Sequence, residues 1–291
     1  YWIVFNQINL TTFNSLGILG NRAENFMQAQ YQGIHHQFLA CARAKELAGR
    51  YGGEIQVGTM LSDKLAYPAT CRPEDMLFNT RKNQMQYLFP DVQFRGYYPG
   101  YAMRFFEDNG ISLVLGEDDE RILRENTMDF LSTSYYYTKV NDVSKNTFEP
   151  MDKCSNPYLG KTQWGWEIDP VGLRVNLNNY GDRYPGVPIY ITENGIGLYE
   201  DTSVNQVEDD DRIEFMDMHI AAVLKAKEGG CDVRGYYAWS PFDLYSWKNG
   251  TEKRYGLVAI DYENGLERRP KKSYYWYKDV IETDGKHITG K

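Results

Sequence analysis

The sequence is poor in cysteine and histidine, and it has no long apolar run. The cysteines show no CxxC spacing, so they indicate reduced thiols and predict neither a disulfide framework nor a zinc site. They are Cys41, Cys71, Cys154 and Cys231. None of the four histidines stands at metal-ligand spacing from a partner. A membrane-spanning helix needs about 18 consecutive apolar residues, and no such run is found.

Positive charge is also scarce. The chain has 32 lysines and arginines against 40 aspartates and glutamates, which gives a formal net charge of −8. This balance argues against a general nucleic-acid-binding surface and against binding to an anionic membrane. Any local cluster of basic residues is therefore informative.

No leader precedes the first strand-like residues. Residues 1–5, YWIVF, are aromatic or β-branched and are typical of a buried strand, and no signal peptide stands in front of them. A natural chain rarely begins inside a core strand. We therefore expect an N-terminal portion of the protein to be absent.

Strand-like and helix-like segments alternate along the chain. Five runs rich in Val, Ile, Tyr or Thr predict strands, at residues 2–9, 54–61, 129–137, 188–193 and 235–241. Helical spacing of apolar residues, proline at the first position of a helix and acids in a first turn predict helices between them, at residues 26–50, 73–88, 99–109 and 211–227. The acidic run 208–211 is best explained as favourable charge at the start of the last helix, and not as a metal site.

This alternation predicts parallel strands with right-handed crossovers. Five strands do not close an eight-stranded barrel. We therefore expect residues 1–291 to form a single α/β barrel domain that holds the last five βα units of a (β/α)8 TIM barrel.

Two polar side chains stand where strands of such a barrel end. Gln7 lies near the end of the first predicted strand, and Glu193 ends the fourth in the sequence PIYITENG. Active sites of parallel barrels are built at this edge. The pair resembles the two carboxylates of glycoside hydrolysis, with one of them replaced by an amide.

Several motifs resemble glycoside hydrolase family 1, the retaining β-glycosidases on a (β/α)8 barrel. WIVFNQIN is similar to the family's TFNE motif, and YITENG to its nucleophile motif. YPATCRPED, WGWEIDPVGLR, WSPFDLYSW and KRYG follow in family order, so the resemblance covers essentially the whole chain. It implies that Glu193 is the nucleophile and that Gln7 occupies the position of the acid/base glutamate.

An amide at position 7 changes what the chain can do. In a retaining glycosidase one carboxyl group attacks the anomeric carbon, while the other protonates the leaving oxygen and then activates water. Gln7 can do neither, so we expect substrate to bind and turnover to be poor. Two explanations remain open: a Glu→Gln change that traps a complex, or a natural glutamine as in the family's thioglucosidases. The sugar-binding loop favours the first.

That loop is WSPFDLYSWKNGTEKRYG, residues 239–256. β-Glucosidases of the family have a glutamate where this chain has Ser246, and Lys253 and Tyr255 follow. A phosphate group requires charged and neutral hydrogen-bond donors of this kind. The pattern resembles the phosphate loop of the 6-phospho-β-glycosidases, although Lys253-Arg254 alone is also consistent with a solvated surface pair.

The remaining site residues follow from the same resemblance. It implies that Asn6 contacts the sugar 2-hydroxyl, that Tyr136 contacts the nucleophile, that Trp239 stacks on the sugar and that Trp166 lines the aglycon side. Both tryptophans are also consistent with core packing. Trp247 is typical of galactosidases and dual-specificity enzymes of this branch, whereas NQIN and YPATCRPED are closer to the glucosidases, so we expect galactoside or dual activity.

The chain also departs from the family. The sugar-binding glutamine and histidine of the first strands are not in it, and the stretches 14–19 and 146–155 are shorter than the family pattern. We expect disordered loops to have been omitted from both stretches.

The expected substrate is a phosphorylated disaccharide or aryl glycoside, such as phosphorylated lactose or cellobiose, and the expected compartment is the bacterial cytoplasm. No metal, cofactor, nucleic acid or membrane is implied, and the oligomeric state is open. A second hypothesis is a non-catalytic sugar-phosphate binder with a native Gln7, and a third is a thioglucosidase.

Overall fold

The computed structural model describes residues 1–12, 23–52, 54–145, 155–246 and 249–290. The chain forms two compact units. The first unit comprises Tyr1–Ser134, Lys139–Ser155 and Tyr184–Tyr190, and the second comprises Tyr135–Thr138, Asn156–Arg183 and Ile191–Lys291. The shortened stretches 14–19 and 146–154 lie outside the described residues.

The first unit is built around parallel strands. β1 (Trp2–Ile3) pairs with β2 (Val57–Ser62), and β2 pairs with β4 (Phe130–Tyr135). The first residues of β6 (Ile189–Asn194) continue this order, because the Leu131 amide donates to the Pro188 carbonyl at 2.9 Å. β2 is buried along its whole length, as a strand covered on both faces should be.

Helices of the first unit connect or cover these strands, and the boundaries of two are set by local sequence. α1 begins after Asn25, whose side chain accepts from the Gln28 amide at 3.1 Å. α2 begins at a proline and ends at Gly96, which has φ 75° and leaves no room for a Cβ beside Arg124. The bounds are α1 (Phe26–Arg50), α2 (Pro73–Arg95), α3 (Gly100–Asp108) and α4 (Asp119–Glu125). A short parallel pair, β3 (Ala66–Pro68) with β5 (Lys139–Asn141), also belongs to this unit.

The second unit joins the end of β6 to β7 (Val233–Ala238) and to a hairpin of β8 (Val258–Asp261) and β9 (Glu267–Pro270). Its core is a cluster of apolar side chains from strand ends and helices, namely Ile196, Leu198, Phe215, Met216, Ile220, Leu257 and Val280. Its helices are α5 (Pro170–Arg183), α6 (Asp210–Glu228) and α7 (Lys272–Glu282).

The predicted elements agree with the structure except at a few ends. The first strand has two residues instead of eight, since the chain turns at Asn6-Gln7 and continues as a 3-10 helix, Ile8–Thr12. α2 continues past residue 88 and carries Pro90 within it. No helix within the described ranges is both long and apolar enough to span a bilayer. Cys41, Cys71 and Cys231 are free, and Cys154 lies outside the described residues.

One residue of the acidic run 208–211 belongs to a buried ion network. Asp209 is 3 % exposed and accepts from Arg212 Nε at 2.7 Å and from the Ser273 hydroxyl at 2.6 Å. Dipole stabilisation is therefore only part of its role. The wider network is described with the loop that it supports.

Candidate active site

Position 7 lies in the turn after β1, in the first unit. Gln7 has φ 47°, a left-handed conformation that costs free energy for a residue with a Cβ. Its amide Nε2 donates to Ser134 Oγ at 2.5 Å, and Ser134 Oγ lies 3.3 Å from the Leu61 carbonyl oxygen, to which it donates. A donor at position 7 is thus held by a buried serine near the end of β4.

Position 193 lies at the end of β6, in the second unit, and its carboxylate is half-buried. The Tyr136 hydroxyl donates to Glu193 Oε2 at 2.6 Å, so the expected contact between these two residues is present. Burial raises the pKa of Glu193, and the hydrogen bond from Tyr136 opposes this rise. Burial and the neighbouring carboxylate raise the pKa of Tyr136 well above its ordinary value, so the phenol stays a donor.

The residues after Glu193 fix the end of the strand. Asn194 is fully buried; its Nδ2 donates to the Tyr135 carbonyl at 2.7 Å, and its Oδ1 accepts from the Tyr236 hydroxyl at 2.6 Å. A Cβ at Gly195 would lie 1.9 Å from the Trp239 carbonyl oxygen, so only glycine fits there. Asn194 therefore links the end of β6 to neighbouring strands by hydrogen bonds, and Gly195 permits the close approach of the Trp239 carbonyl.

Lys253 lies among aromatic rings of the second unit. Its Nζ is 3.3 Å from the centroid of the Trp166 ring, 5.0 Å from that of Trp164 and 5.2 Å from that of Tyr255. The residue is 3 % exposed, and no carboxylate pairs with it in the part of the chain that the structure describes. Burial lowers its pKa to about 8. The solvated alternative is therefore wrong for Lys253.

Trp166 connects this lysine to the surroundings of Glu193. Its ring centroid is 5.6 Å from that of Tyr136 and 5.1 Å from that of Tyr137. Tyr136 contacts both Trp166 and the Glu193 carboxylate. The structure thus brings together Glu193, Tyr136, Trp166, Lys253 and Tyr255, five of the residues named from the sequence.

The other predicted residues are placed less specifically. Trp239 is half-buried after β7, and its amide donates to the Asn194 carbonyl at 2.8 Å. Ser246 pairs by its backbone with Gly250, and its Oγ accepts from the Asn249 amide at 3.2 Å. Asn6 is exposed in the turn that also holds Gln7. Trp247 lies outside the described residues.

A network of buried charges supports the loop that carries Lys253. Asp243 Oδ1 accepts from the Gly256 amide at 2.8 Å and from Lys271 Nζ at 2.9 Å. Arg212 Nη1 donates to the Tyr255 carbonyl at 3.0 Å, and Arg254 Nη1 to the Ile260 carbonyl at 3.0 Å. Arg254 is thus held in the structure, and among the cations of the loop that the structure describes, Lys253 is the one without a carboxylate partner.

The sequence analysis did not predict the buried charges that support the loop of Lys253. It also assigned no role to Trp164, the second tryptophan beside this lysine. Trp164 stands two residues before Trp166 and stacks on Tyr199 at 4.6 Å between centroids. Asp243 is part of the quoted motif WSPFDLYSW but carried no assigned role. No local pattern distinguishes Lys271 or Arg212 from a surface cation, because their partners lie far away in the chain.

The arrangement suits nucleophilic attack by the Glu193 carboxylate on a molecule that also carries an anionic group. Glu193 supplies a carboxylate whose orientation is set by a phenol, and Lys253 supplies a cation at the end of an aromatic wall. No group of three metal-ligating side chains occurs among the residues that the structure describes.

Replacing Tyr136 with phenylalanine is expected to raise the pKa of Glu193. The substitution removes the donor that stabilises the ionised carboxylate and leaves burial unopposed. One hydrogen bond to a charged group is worth about 1.5–3 kcal/mol, so its loss should raise this pKa by an amount that titration resolves. Carboxyl carbon NMR titration measures it, with Glu193→Gln to assign the signal. The control is Tyr135→Phe, which removes a hydroxyl that donates to the Asp169 carbonyl. A pKa that stays constant or falls in Tyr136→Phe would contradict the assigned contact.

Comparison with known proteins gives one family throughout. The sequence profile described as glycosyl hydrolase family 1 matches residues 1–286. A phospho-cellobiase from Klebsiella oxytoca is 39 % identical over 98 % of the chain and 63 % of that protein. A 6-phospho-beta-glucosidase from Dickeya chrysanthemi is 39 % identical over 99 % of the chain and 64 % of that protein.

Solved structures agree with the sequence relatives. A family 1 β-glucosidase from Thermotoga maritima superposes with a TM-score of 0.85 at 27 % identity, over 98 % of the chain and 64 % of that structure. The chain thus spans somewhat less than two thirds of the length of the relatives it matches. The α/β barrel class expected from the sequence is confirmed.

Proposed function

Because the chain belongs to glycosyl hydrolase family 1, we propose that the intact protein hydrolyses 6-phospho-β-glycosides with retention of configuration. Glu193 acts as the nucleophile. Gln7 takes the position of the acid/base residue and impairs the reaction.

The observation that carries this proposal is the buried Lys253. Among the residues that the structure describes, this lysine is 3 % exposed and has aromatic neighbours in place of a carboxylate, so its charge is uncompensated there. Such a charge is costly to bury unless an anion arrives to pair with it. A phosphate monoester is the anion that explains both the lysine and the serine at position 246, where a glutamate would repel it.

The reaction assigns one task to each group. Ionised Glu193 attacks the anomeric carbon and displaces the aglycon, and the bond formed is an ester between carbohydrate and carboxylate. Gln7 donates a hydrogen bond to the leaving oxygen but transfers no proton. Water then attacks the anomeric carbon and displaces the Glu193 carboxylate; its proton passes to solvent because no general base accepts it, so this step is slow as well.

The names of the relatives support a glucoside. Those reported above are a phospho-cellobiase and a 6-phospho-beta-glucosidase. Trp247 favoured galactoside or dual activity and lies outside the described residues. We propose 6-phospho-β-glucosides as substrates and retain 6-phospho-β-galactosides as a second substrate class.

A panel of substrates tests the function. The Gln7→Glu variant of the intact protein is assayed with nitrophenyl 6-phospho-β-glucoside, nitrophenyl 6-phospho-β-galactoside and nitrophenyl β-glucoside. We expect kcat/KM for a phosphorylated substrate to exceed that for the plain glucoside by about 100-fold or more, since charge-assisted contacts contribute roughly 1.5–3 kcal/mol each. Hydrolysis of plain glucosides alone would contradict the phosphate site. Hydrolysis of none would favour the non-catalytic binder.

A further inference from the structure

The Lys253 side chain is oriented by groups that do not themselves bind phosphate. Its ammonium lies 3.3 Å from the centroid of the Trp166 ring, so the lysine covers that face of the ring. A tryptophan that only lines an aglycon pocket would leave this face to the ligand. We propose that Trp166 and Gly197 are positioning residues for Lys253, holding its ammonium ready for the phosphate of the substrate. This inference rests on the proposed function and deepens it.

Trp166 is a fixed platform. The Tyr136 and Tyr137 rings pack against it with centroid separations of 5.6 and 5.1 Å. Its backbone amide donates to Thr162 Oγ1 at 3.1 Å, and its carbonyl accepts from the Thr162 amide at 2.7 Å. These contacts set the position of the indole, and the ammonium lies over its face.

Gly197 supplies the space for the lysine stem. A Cβ at this position would lie 2.5 Å from Lys253 Cε and 2.6 Å from Lys253 Cγ. The stem thus runs directly against the backbone after β6, and any side chain here would displace it. Gly197 adopts a backbone conformation that alanine also tolerates, so the missing side chain and not φ is what matters.

Aromatic rings, and not a carboxylate, orient the Lys253 ammonium, and this difference affects specificity. An aspartate or glutamate would orient Lys253 equally well but would neutralise it and repel a dianion. An aromatic face attracts the cation through its quadrupole and leaves the net charge at +1. The lysine is therefore oriented without a carboxylate partner in the described ranges, which favours a phosphorylated sugar over a plain one.

Binding of glucose 6-phosphate to the intact protein tests the role of Trp166, because this ligand has no aglycon. Isothermal titration calorimetry is expected to show a Kd that is about 3- to 30-fold weaker in Trp166→Leu, the range that a cation–π contact of this kind supplies. Trp166→Phe keeps an aromatic face and should restore most of the affinity. An unchanged Kd in Trp166→Leu would show that the indole serves only the aglycon and would overturn the proposal.

Alanine substitution of two glycines provides a matched pair. Gly197→Ala should weaken glucose 6-phosphate binding because it displaces the Lys253 stem. Gly160→Ala is the control, since a Cβ at Gly160 meets no atom within 4 Å. Equal affinities in the two variants would remove Gly197 from the proposal.

Chemical labelling of Lys253 separates this inference from the proposed function. The rate of acetylation by acetic anhydride is followed as a function of pH by mass spectrometry, with the exposed Lys278 as internal reference. Burial lowers the pKa of Lys253 to about 8. Because the indole covers the ammonium, its removal in Trp166→Leu should raise the acetylation rate of Lys253 relative to Lys278 above this pKa. If the unaltered protein fails to bind glucose 6-phosphate, the proposed function fails, while an unchanged relative rate in Trp166→Leu overturns the positioning role in either case.

Discussion

Replacing Gln7 with glutamate is expected to raise kcat/KM for nitrophenyl 6-phospho-β-glucoside by about 100- to 10,000-fold. This is the range that a positioned general acid–base group supplies. The gain should increase with the pKa of the leaving group, because a poor leaving group needs the proton most. Initial rates with a series of substituted phenyl glycosides measure it.

The hydrogen bond at position 7 supports the expected gain. Ser134 Oγ accepts from the Gln7 amide and directs its own hydrogen to the Leu61 carbonyl. A carboxyl group at position 7 that retains this contact must donate, and only its protonated form can do so. The first step needs this protonated form, so the surroundings should favour an acid there.

Two outcomes check the prediction for position 7. The pH profile of Gln7→Glu should fall at high pH, where the new acid ionises, and this limb should be absent with glutamine. Gln7→Ala removes the amide without adding an acid and should give no gain. If Gln7→Ala gained as much as Gln7→Glu, the effect would be steric and the assignment of position 7 would fail.

Removing the carboxylate of Glu193 is expected to have the largest effect. In the Gln7→Glu background, Glu193→Ala should reduce kcat by roughly 10⁵-fold or more, because a nucleophile held in position corresponds to an effective concentration far above that of any solute. Turnover of nitrophenyl 6-phospho-β-glucoside measures the loss. Glu252→Ala, in the loop that carries Lys253, removes an exposed carboxylate and should have no comparable effect.

Azide provides the decisive readout for Glu193. The space left by the side chain in Glu193→Ala admits this small anion on the face that the carboxylate attacked. One displacement then replaces two, so the product should be a glycosyl azide of inverted, α configuration. Proton NMR of the anomeric centre distinguishes the two products. A β-glycosyl azide, or no rescue by azide at all, would remove Glu193 from the nucleophile's position.

The secondary structure was predictable where local chemistry determines it. The pattern of residues 26–50 predicted α1 with its observed bounds, because apolar residues at helical spacing fill this run and two glycines follow it in the sequence. The first strand was predicted six residues too long. Nothing local shows that the chain turns at Asn6-Gln7, since a polar residue after an apolar run is equally compatible with a longer strand.

The site was predictable only in part, for a similar reason. The motifs around Glu193, Tyr136 and Lys253 follow the order of the family along the chain. This resemblance implied the contact between Glu193 and Tyr136. The groups that surround Lys253 could not be predicted, because Trp166 and Gly197 stand 87 and 56 positions before it in the sequence. Stacking geometry and the space at a glycine arise only when the chain is folded.

The sequence by itself determined that the chain alternates strands and helices and that a carboxylate ends one strand where an amide follows another. These features are properties of neighbouring residues. The tertiary structure alone decided that Lys253 is buried over an indole and that Asp243 and Lys271 support its loop. Burial and distance join residues far apart in the chain, and they turn one member of an ordinary basic pair into a cation buried against aromatic rings.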